Sequence, residues 1–403
     1  MSNIWTFIDN SSGKSKAMPE PLPPPVVVFK ESGLAQDIAL VNDLPSRDDI
    51  RRILIIKWGG MGDVVISTAI IEDVFRAFPG REIHLNAMPP WNSLFADDPR
   101  FSRVWVVDLR NRERNVKGMW RWVKTARAGN YDLIIDLQCN DRTRLLLSAL
   151  LFSGCRIPWR IGNRPGFPYT ISHPKLPGST HIFQRMRASL LAAGIPANTE
   201  RPLLHGSEAQ RKRASAILDE SGLEDGRFAV FLPGSHAAGL TKRWGVRNYR
   251  QLALLLKGAG LTKVVLLGGP DEVEECAAIA EGESGYVVNL CGKTQLLELP
   301  AIFERAALII ANDTGTAHLA AASNQRMIVI CGPTDPRRVK PVGNGVIAIQ
   351  ADLSCKNCYR KTCDHHSCMK FVTPEQVMDL AGCMVDWHLP AAPEGELFTV
   401  PHR

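Results

Sequence analysis

Short apolar runs alternate along the chain with longer stretches of helical spacing. Ile53, Leu54, Ile55 and Ile56 follow one another without a polar break, the pattern of a strand buried on both faces. Trp58-Gly59-Gly60-Met61-Gly62-Asp63 interrupts the run, and 64–78 then repeats apolar residues at the period of a helix. Further strands are expected at 83–86, 104–107 and 133–137, with helices near 117–128, 141–152 and 182–193. Strands that alternate with helices in this way predict a parallel sheet covered on both faces.

The pattern then repeats. A polar helix over 206–224 leads into an apolar run at 228–232, closed by Pro233-Gly234-Ser235. More buried strands are expected at 264–267, 286–290, 308–311 and 327–331. The predicted architecture is α/β: two Rossmann-like domains whose parallel sheets face a central cleft. The expected divisions are a proline-rich tail over 1–50, a first domain over 51–205, a second over 206–388 and a short tail over 389–403. Prolines 19, 21, 23, 24 and 25 oppose a packed helix in the first tail, although 26–29 has the character of an edge strand.

Composition narrows the class. With 403 residues, 45% of them hydrophobic and 22% charged, the chain suits two globular domains. No apolar run reaches the roughly 18 residues of a membrane helix. The opening residues lack the apolar core and cleavage site of a secretory signal, which predicts a cytoplasmic location. The net charge of +7 suits an anionic partner. Ten cysteines without a signal fit reduced thiols or a metal site better than a disulfide framework.

Candidate chemistry gathers at the predicted strand ends. Leu308 to Ala311 runs into Asn312-Asp313-Thr314-Gly315-Thr316, and a small-residue helix follows. Free N–H groups at such a helix start favour phosphate, and Thr314 and His318 lie four apart on one side of it. Asp63 opens the first helix, either as a cap or as a carboxylate base. Lys242 and Arg243 bring positive charge beside Gly234-Ser235, while Trp244 fits a core position. Asp271 and Glu272 cap a helix or accept from a ribose. Arg142 and Arg160, the latter in a basic loop around Gly162, either meet an anionic acceptor or are solvated. Cys355, Cys358, Cys363 and Cys368 lie close enough for zinc or iron, for a redox pair, or for clustered thiols.

Asp313-Thr314-Gly315-Thr316-Ala317-His318, with Gly332-Pro333-Thr334-Asp335-Pro336 downstream, resembles the signature of glycosyltransferase family 9, the ADP-heptose:lipopolysaccharide heptosyltransferases. Gly62-Asp63, Lys242-Arg243-Trp244 and the strand over 132–138 match the same pattern, and the cysteine cluster resembles that of heptosyltransferase II. The resemblance implies a GT-B fold and metal-independent, inverting transfer of heptose from ADP-heptose to an anionic, lipid-linked glycan of the lipopolysaccharide core. It implies Asp63 as general base and Lys242 as partner of the departing diphosphate. Thr314, Gly315 and His318 would hold the donor's phosphates, Asp313 would lie beside its sugar and Asp271 or Glu272 would take its ribose, with Gly62, Gly234 and Ser235 as further donor-binding candidates. Arg142 and Arg160 are the acceptor candidates. Any metal at the four cysteines would be structural, and no nucleic acid is expected as partner. The location implied is cytoplasmic, with peripheral contact at the inner membrane face. The alternatives are a nucleotide-sugar epimerase of the same fold, which would turn over donor without acceptor, and a non-catalytic protein that binds nucleotide or metal.

Overall fold

A computed structural model of the chain describes residues 25–29, 42–235, 237–283 and 285–385. The prolines before Pro25 and the tail expected over 389–403 lie outside the described residues. The strands, in chain order, are β1 (Val26–Phe29), β2 (Arg52–Ile56), β3 (Glu82–Ala87), β4 (Arg103–Val106), β5 (Leu133–Asp136), β6 (Trp159–Gly162) and β7 (Ile171–Ser172). They continue with β8 (Phe228–Leu232), β9 (Lys263–Leu266), β10 (Val287–Asn289), β11 (Leu308–Asn312), β12 (Met327–Cys331) and β13 (Val346–Ala351). The helices of the first half are α1 (Met61–Ala77), α2 (Val116–Ala128), α3 (Asp141–Phe152) and α4 (Ile182–Ala192). Those of the second are α5 (Glu208–Glu220), α6 (Val246–Gly258), α7 (Val273–Ala280), α8 (Leu299–Arg305), α9 (Gly315–Ala320), α10 (Pro336–Val339), α11 (Ser367–Lys370) and α12 (Pro374–Met384).

Two sheets result. The first has the order β4-β3-β2-β5-β6-β7 and is parallel throughout. The second has the order β1-β13-β12-β11-β8-β9-β10 and is parallel except at β1, which runs antiparallel to β13. Val26–Phe29 is therefore an edge strand of the second sheet. Asn42 to Ile50 belongs to the first body instead of to a tail: Leu44 and Ile50 are buried, and the Leu44 N–H donates to the Ala193 carbonyl at 3.1 Å. Burial of two apolar side chains outweighs the polar composition around them.

Apolar side chains fill three layers. One core continues from the α1 side of the first sheet into the second body and includes Ile53, Val65, Ile70, Ile309 and Ala317. A second, around Phe231, Tyr249 and Ile330, covers the far face of the second sheet. A third, around Leu54, Trp105, Trp122 and Leu147, lies between the first sheet and α2 and α3. Helix α1 shows the consequence in its sequence: Val64 to Val74 is buried without interruption, because the helix is enclosed between the two bodies. Helix α2 is one-sided, burying Trp122, Val123 and Ala126 and exposing Lys117, Trp120, Arg121 and Lys124.

Candidate active site

In open parallel sheets the crevice forms at strand carboxyl ends where the winding direction reverses. The first sheet reverses between β2 and β5, the second between β8 and β11. Gly59 to Asp63 follows β2 and Gln138 follows β5; Gly234-Ser235 follows β8 and Asp313-Thr314 follows β11. Topology alone thus places the sequence-selected residues at two crevices.

In the second body the Lys242 ammonium lies 2.7 Å from Asp313 Oδ2, and the Thr334 hydroxyl donates to the same oxygen at 2.8 Å. Asp313 is buried whereas Lys242 is one-third exposed, so the carboxylate anchors a cation that still reaches solvent. Asn312, fully buried, donates to the Pro233 and Gly234 carbonyls and accepts from the Tyr249 hydroxyl and the Trp244 N–H. This ties the end of β11 to the turn after β8. Trp244 is core, with its indole N–H on the Val372 carbonyl at 2.7 Å. Arg243 donates to the Ser235 carbonyl at 3.0 Å and pairs with Glu275 at 2.8 Å. Burial raises the Glu275 pKa, and Arg243 opposes the rise.

Thr314 stands at the N-cap of α9 without a side-chain cap bond. His318, one turn on, is buried, and its Nδ1 has no partner among the described residues. Burial lowers its pKa; the Asp313 and Asp63 carboxylates counter this and Lys242 adds to it.

The two walls meet here. A methyl group on Gly62 would lie 2.6 Å from His318 Cδ2, and one on Gly315 would lie 2.8 Å from the Met61 methyl. Glycines on both helices permit this approach. Asp63, next to Gly62, thereby sits beside the start of α9. It occupies the first turn of α1, whose N-cap is Gly60; Asp63 is not the cap. Asp63 Oδ2 and Gln138 Oε1 both lie close to Gly59, at 3.4 and 3.5 Å from where its side chain would begin, and Gly59 itself has φ +112°. Buried Lys57 lies below, with Nζ 3.3 Å from the Leu137 carbonyl. Burial lowers its pKa, while Asp63, Cys139 and Asp136 favour its charged form.

Other expected residues are placed differently. Glu272, not Asp271, folds over the glycine turn: its carboxylate accepts the Gly269 N–H at 2.5 Å, and a methyl on Gly234 would strike its Cγ. Asp271 is exposed at the edge of a surface cavity of about 670 Å³ lined also by Arg243, Pro270 and Glu274. Asp63, Asp313 and His318 do not line that cavity, and the convergence of charge argues for the crevice instead. Arg160 is on β6, not in a loop. Its guanidinium faces the carbonyls of Ile157, Pro158 and Pro168, and burial lowers its pKa. The loop position belongs to Arg164, which pairs with Asp141 at 3.1 Å. Arg142 opens α3 and donates to the Leu109 carbonyl at 2.8 Å.

Cys355 and Cys358 are exposed, Cys363 is half-buried and Cys368 is buried. Burial raises the Cys368 pKa to about 11, and the other three thiols add to the rise. Among the described residues no three His, Cys, Asp or Glu side chains converge as a metal site. The cysteine loop touches the crevice indirectly: the Tyr359 N–H donates to Pro333 O at 2.8 Å, and His366 Nε2 lies 2.6 Å from Thr241 O.

Sequence reasoning missed Thr334, His181 and Lys57. Thr334 lies in the Gly332-Pro333-Thr334-Asp335-Pro336 stretch, where nothing in the sequence singles out its hydroxyl. His181 caps α4, accepting the Phe183 N–H at 3.1 Å, and donates through Nε2 to the Lys340 carbonyl at 3.0 Å. A single histidine before a helix carries no signal of such a link between the bodies.

Known proteins share this arrangement. The chain is 26% identical over 328 residues to lipopolysaccharide heptosyltransferase 1 of Pseudomonas aeruginosa, covering 78% of this chain and 88% of the relative. A family 9 glycosyltransferase from Veillonella parvula superposes with a TM-score of 0.69 at 22% identity, over 86% of this chain and 99% of the other. Escherichia coli heptosyltransferase WaaC with ADP gives 0.62 at 22% identity, over 83% and 100%. These solved structures share the GT-B arrangement of two parallel-sheet domains, and the family model for "Glycosyltransferase family 9 (heptosyltransferase)" matches residues 119–368, from α2 to the last cysteine of the cluster. The chain therefore belongs to glycosyltransferase family 9.

Proposed function

We propose that the protein transfers heptose from ADP-heptose, with inversion, to an anionic lipid-linked glycan of the lipopolysaccharide core at the inner face of the membrane. The observation that carries this reading is the contact of Gly62 with His318, which sets a carboxylate from one body beside the phosphate-type helix start of the other. The first body takes the acceptor, and the second takes the donor. The name of the Pseudomonas aeruginosa relative, a lipopolysaccharide heptosyltransferase, supports the acceptor class. The ADP complex of the Escherichia coli neighbour supports the nucleotide.

In this mechanism Asp63 accepts the proton of the acceptor hydroxyl as its oxygen bonds to the anomeric carbon. The bond from that carbon to the diphosphate oxygen breaks on the opposite face, and its electron pair leaves with ADP. Positive charge already in place at the departing oxygen lowers the barrier. Lys242 has three N–H donors, and Asp313 holds one of them; the others face the diphosphate. Thr314, Gly315 and His318 hold the phosphates, with Gly62, Gly234 and Ser235 admitting them closely. Glu272, with Asp271 at the rim, receives the ribose. Arg142 meets the acceptor, with Arg164 favoured by position over Arg160. No metal takes part, and any zinc or iron taken up by Cys355, Cys358, Cys363 and Cys368 is structural.

Asp63→Asn tests the assignment. Transfer is expected to fall by about 10²–10⁴-fold, with ADP-heptose binding by calorimetry unchanged. Loss of donor binding in parallel would overturn the role of base, and stabilisation by UDP or GDP sugars in place of ADP compounds would overturn the donor.

A further inference from the structure

Helices α2 and α3 form the outer wall of the first body. They pack on the face of the first sheet opposite α1, so their free sides point away from the crevice. Five large apolar side chains are nevertheless exposed there: Val116, Trp120, Leu145, Phe152 and Phe167. Val116 and Trp120 are four apart on α2, and Leu145 and Phe152 are seven apart on α3, so each pair shares one side of its helix. Contacts tie the two helices and the Phe167 loop together along this face. The Phe152 and Phe167 rings lie 5.9 Å apart, Arg144 donates to the Phe167 carbonyl at 2.7 Å, and Arg127 at the end of α2 donates to the Ser153 carbonyl. Phe152 is 82% exposed and Trp120 62%. Isolated apolar side chains on a surface are ordinary, but a contiguous group of this size marks an interaction site.

Charge identifies the partner. Between Arg103 and Arg164 the chain carries thirteen Lys and Arg against five Asp and Glu. That excess of eight exceeds the net +7 of the whole chain. Lys117, Arg121, Lys124 and Arg127 are exposed along α2, interleaved with Val116 and Trp120. The acidic residues nearest this face are already paired, Glu113 with Arg121 and Asp141 with Arg164. Aromatic and aliphatic side chains framed by lysine and arginine on an amphipathic helix match the boundary of an anionic bilayer. No helix among the described residues is long and apolar enough to cross a membrane, so the contact lies along the surface.

We propose that the α2–α3 face, with the loop carrying Phe167, is a docking surface for an anionic lipid bilayer. Trp120, Phe152 and Phe167 enter the headgroup boundary while Lys117 and Lys124 meet lipid phosphates. The proposal deepens the reading of a lipid-linked acceptor and rests on it for the choice of partner. Docked this way, the protein presents one wall to the membrane and keeps the second body clear of it.

Vesicle co-sedimentation of the full chain, with neither donor nor acceptor present, tests it. Binding is expected to vesicles of phosphatidylcholine with phosphatidylglycerol, to weaken with added salt, and to be weak for phosphatidylcholine alone. Each basic side chain near such a surface contributes about a fivefold factor in affinity. Lys117→Ala/Lys124→Ala should therefore bind about twenty-five-fold more weakly, and Trp120→Ser/Phe152→Ser should also lose binding. Transfer to a soluble, deacylated acceptor serves as control and should be unchanged in both variants. Wild-type vesicle binding by both variants, or equal binding to neutral vesicles, would overturn the proposal. So would a change from dimer to monomer in the Trp120→Ser/Phe152→Ser variant on sedimentation velocity, since the face would then join two copies. Failure of vesicle binding with intact transfer would leave the glycosyltransferase reading standing, and the reverse result would separate them equally well.

Discussion

Replacing Gly62 with alanine probes the contact between the two bodies directly. The new methyl would lie 2.6 Å from His318 Cδ2, 3.0 Å from Nε2 and 3.2 Å from Cγ. Carbon atoms rest at about 3.5–4.0 Å, so the ring and the methyl must separate by roughly 1 Å. His318 is buried, so either its ring must turn or α9 must shift from α1. Overpacking of this kind costs about 1–3 kcal/mol. Gly62 lies in the first turn of α1, where alanine returns up to about 1 kcal/mol through helix propensity. The net loss of stability is thus up to about 2 kcal/mol, a fall in Tm of at most about 4–8 °C for bodies of this size. The effect on rate should be much larger. A misplacement of about 1 Å between reacting groups costs on the order of 10²-fold. We expect kcat for heptosyl transfer to fall about 100-fold while the protein stays folded. Gly60→Ala is the control, since nothing lies within 4 Å of its added methyl, and it should behave as wild type. Steady-state kinetics and thermal unfolding on both variants decide the matter. A Gly62→Ala enzyme with wild-type kcat would refute the idea that this contact sets Asp63 against the donor site.

Two further outcomes are expected. Lys242→Ala leaves Asp313 buried with the Thr334 hydroxyl as its remaining side-chain partner. Transfer should fall about 10²–10³-fold with a loss of stability, and adding Asp313→Asn should recover stability without recovering rate. In the pH dependence, burial lowers the His181 pKa to about 4 and His318 adds to the effect, while the hydrogen bond to the Lys340 carbonyl and the Asp63 carboxylate oppose it. The unfolded chain therefore binds the proton first as pH falls. Stability is full above about pH 6.5 and declines towards pH 4, by up to roughly 3 kcal/mol from this residue. His181→Asn keeps a helix cap and should flatten that part of the curve in denaturant unfolding at pH 5 and 7; an unchanged slope would show that another group carries it.

Much of the fold was legible because strands buried on both faces leave unbroken apolar runs. Ile53 to Ile56, Phe228 to Leu232 and Met327 to Cys331 are such runs, and all are strands. Strands β6 and β7 were not, since Trp-Arg-Ile-Gly and Ile-Ser are too short and mixed to show a period. β13 is apolar enough, yet the chain turns from it into the cysteine loop instead of a long helix, and the alternation that reveals its neighbours fails there. In the candidate site, Asp63 and Asp313 could be singled out because each follows a strand beside a glycine turn, and Lys242 and His318 because they lie within the segments that follow such strands. The choice of Glu272 over Asp271, and the commitment of Arg160 to carbonyls, depend on side-chain direction in the assembled fold, which no local pattern encodes.

Strand β1 has a consequence for biosynthesis. Val26 pairs with Ala351 and Phe29 with Ala348, partners more than three hundred residues apart. The residues that close this edge of the second sheet are thus made more than three hundred residues before the mate they await. At about 5–20 residues per second, the ribosome takes from about a quarter of a minute to about a minute to supply β13. About halfway through that interval β7 completes the first sheet, while Val26–Phe29 still waits unpaired ahead of it. A segment made before either sheet is therefore among the last to be fixed in place.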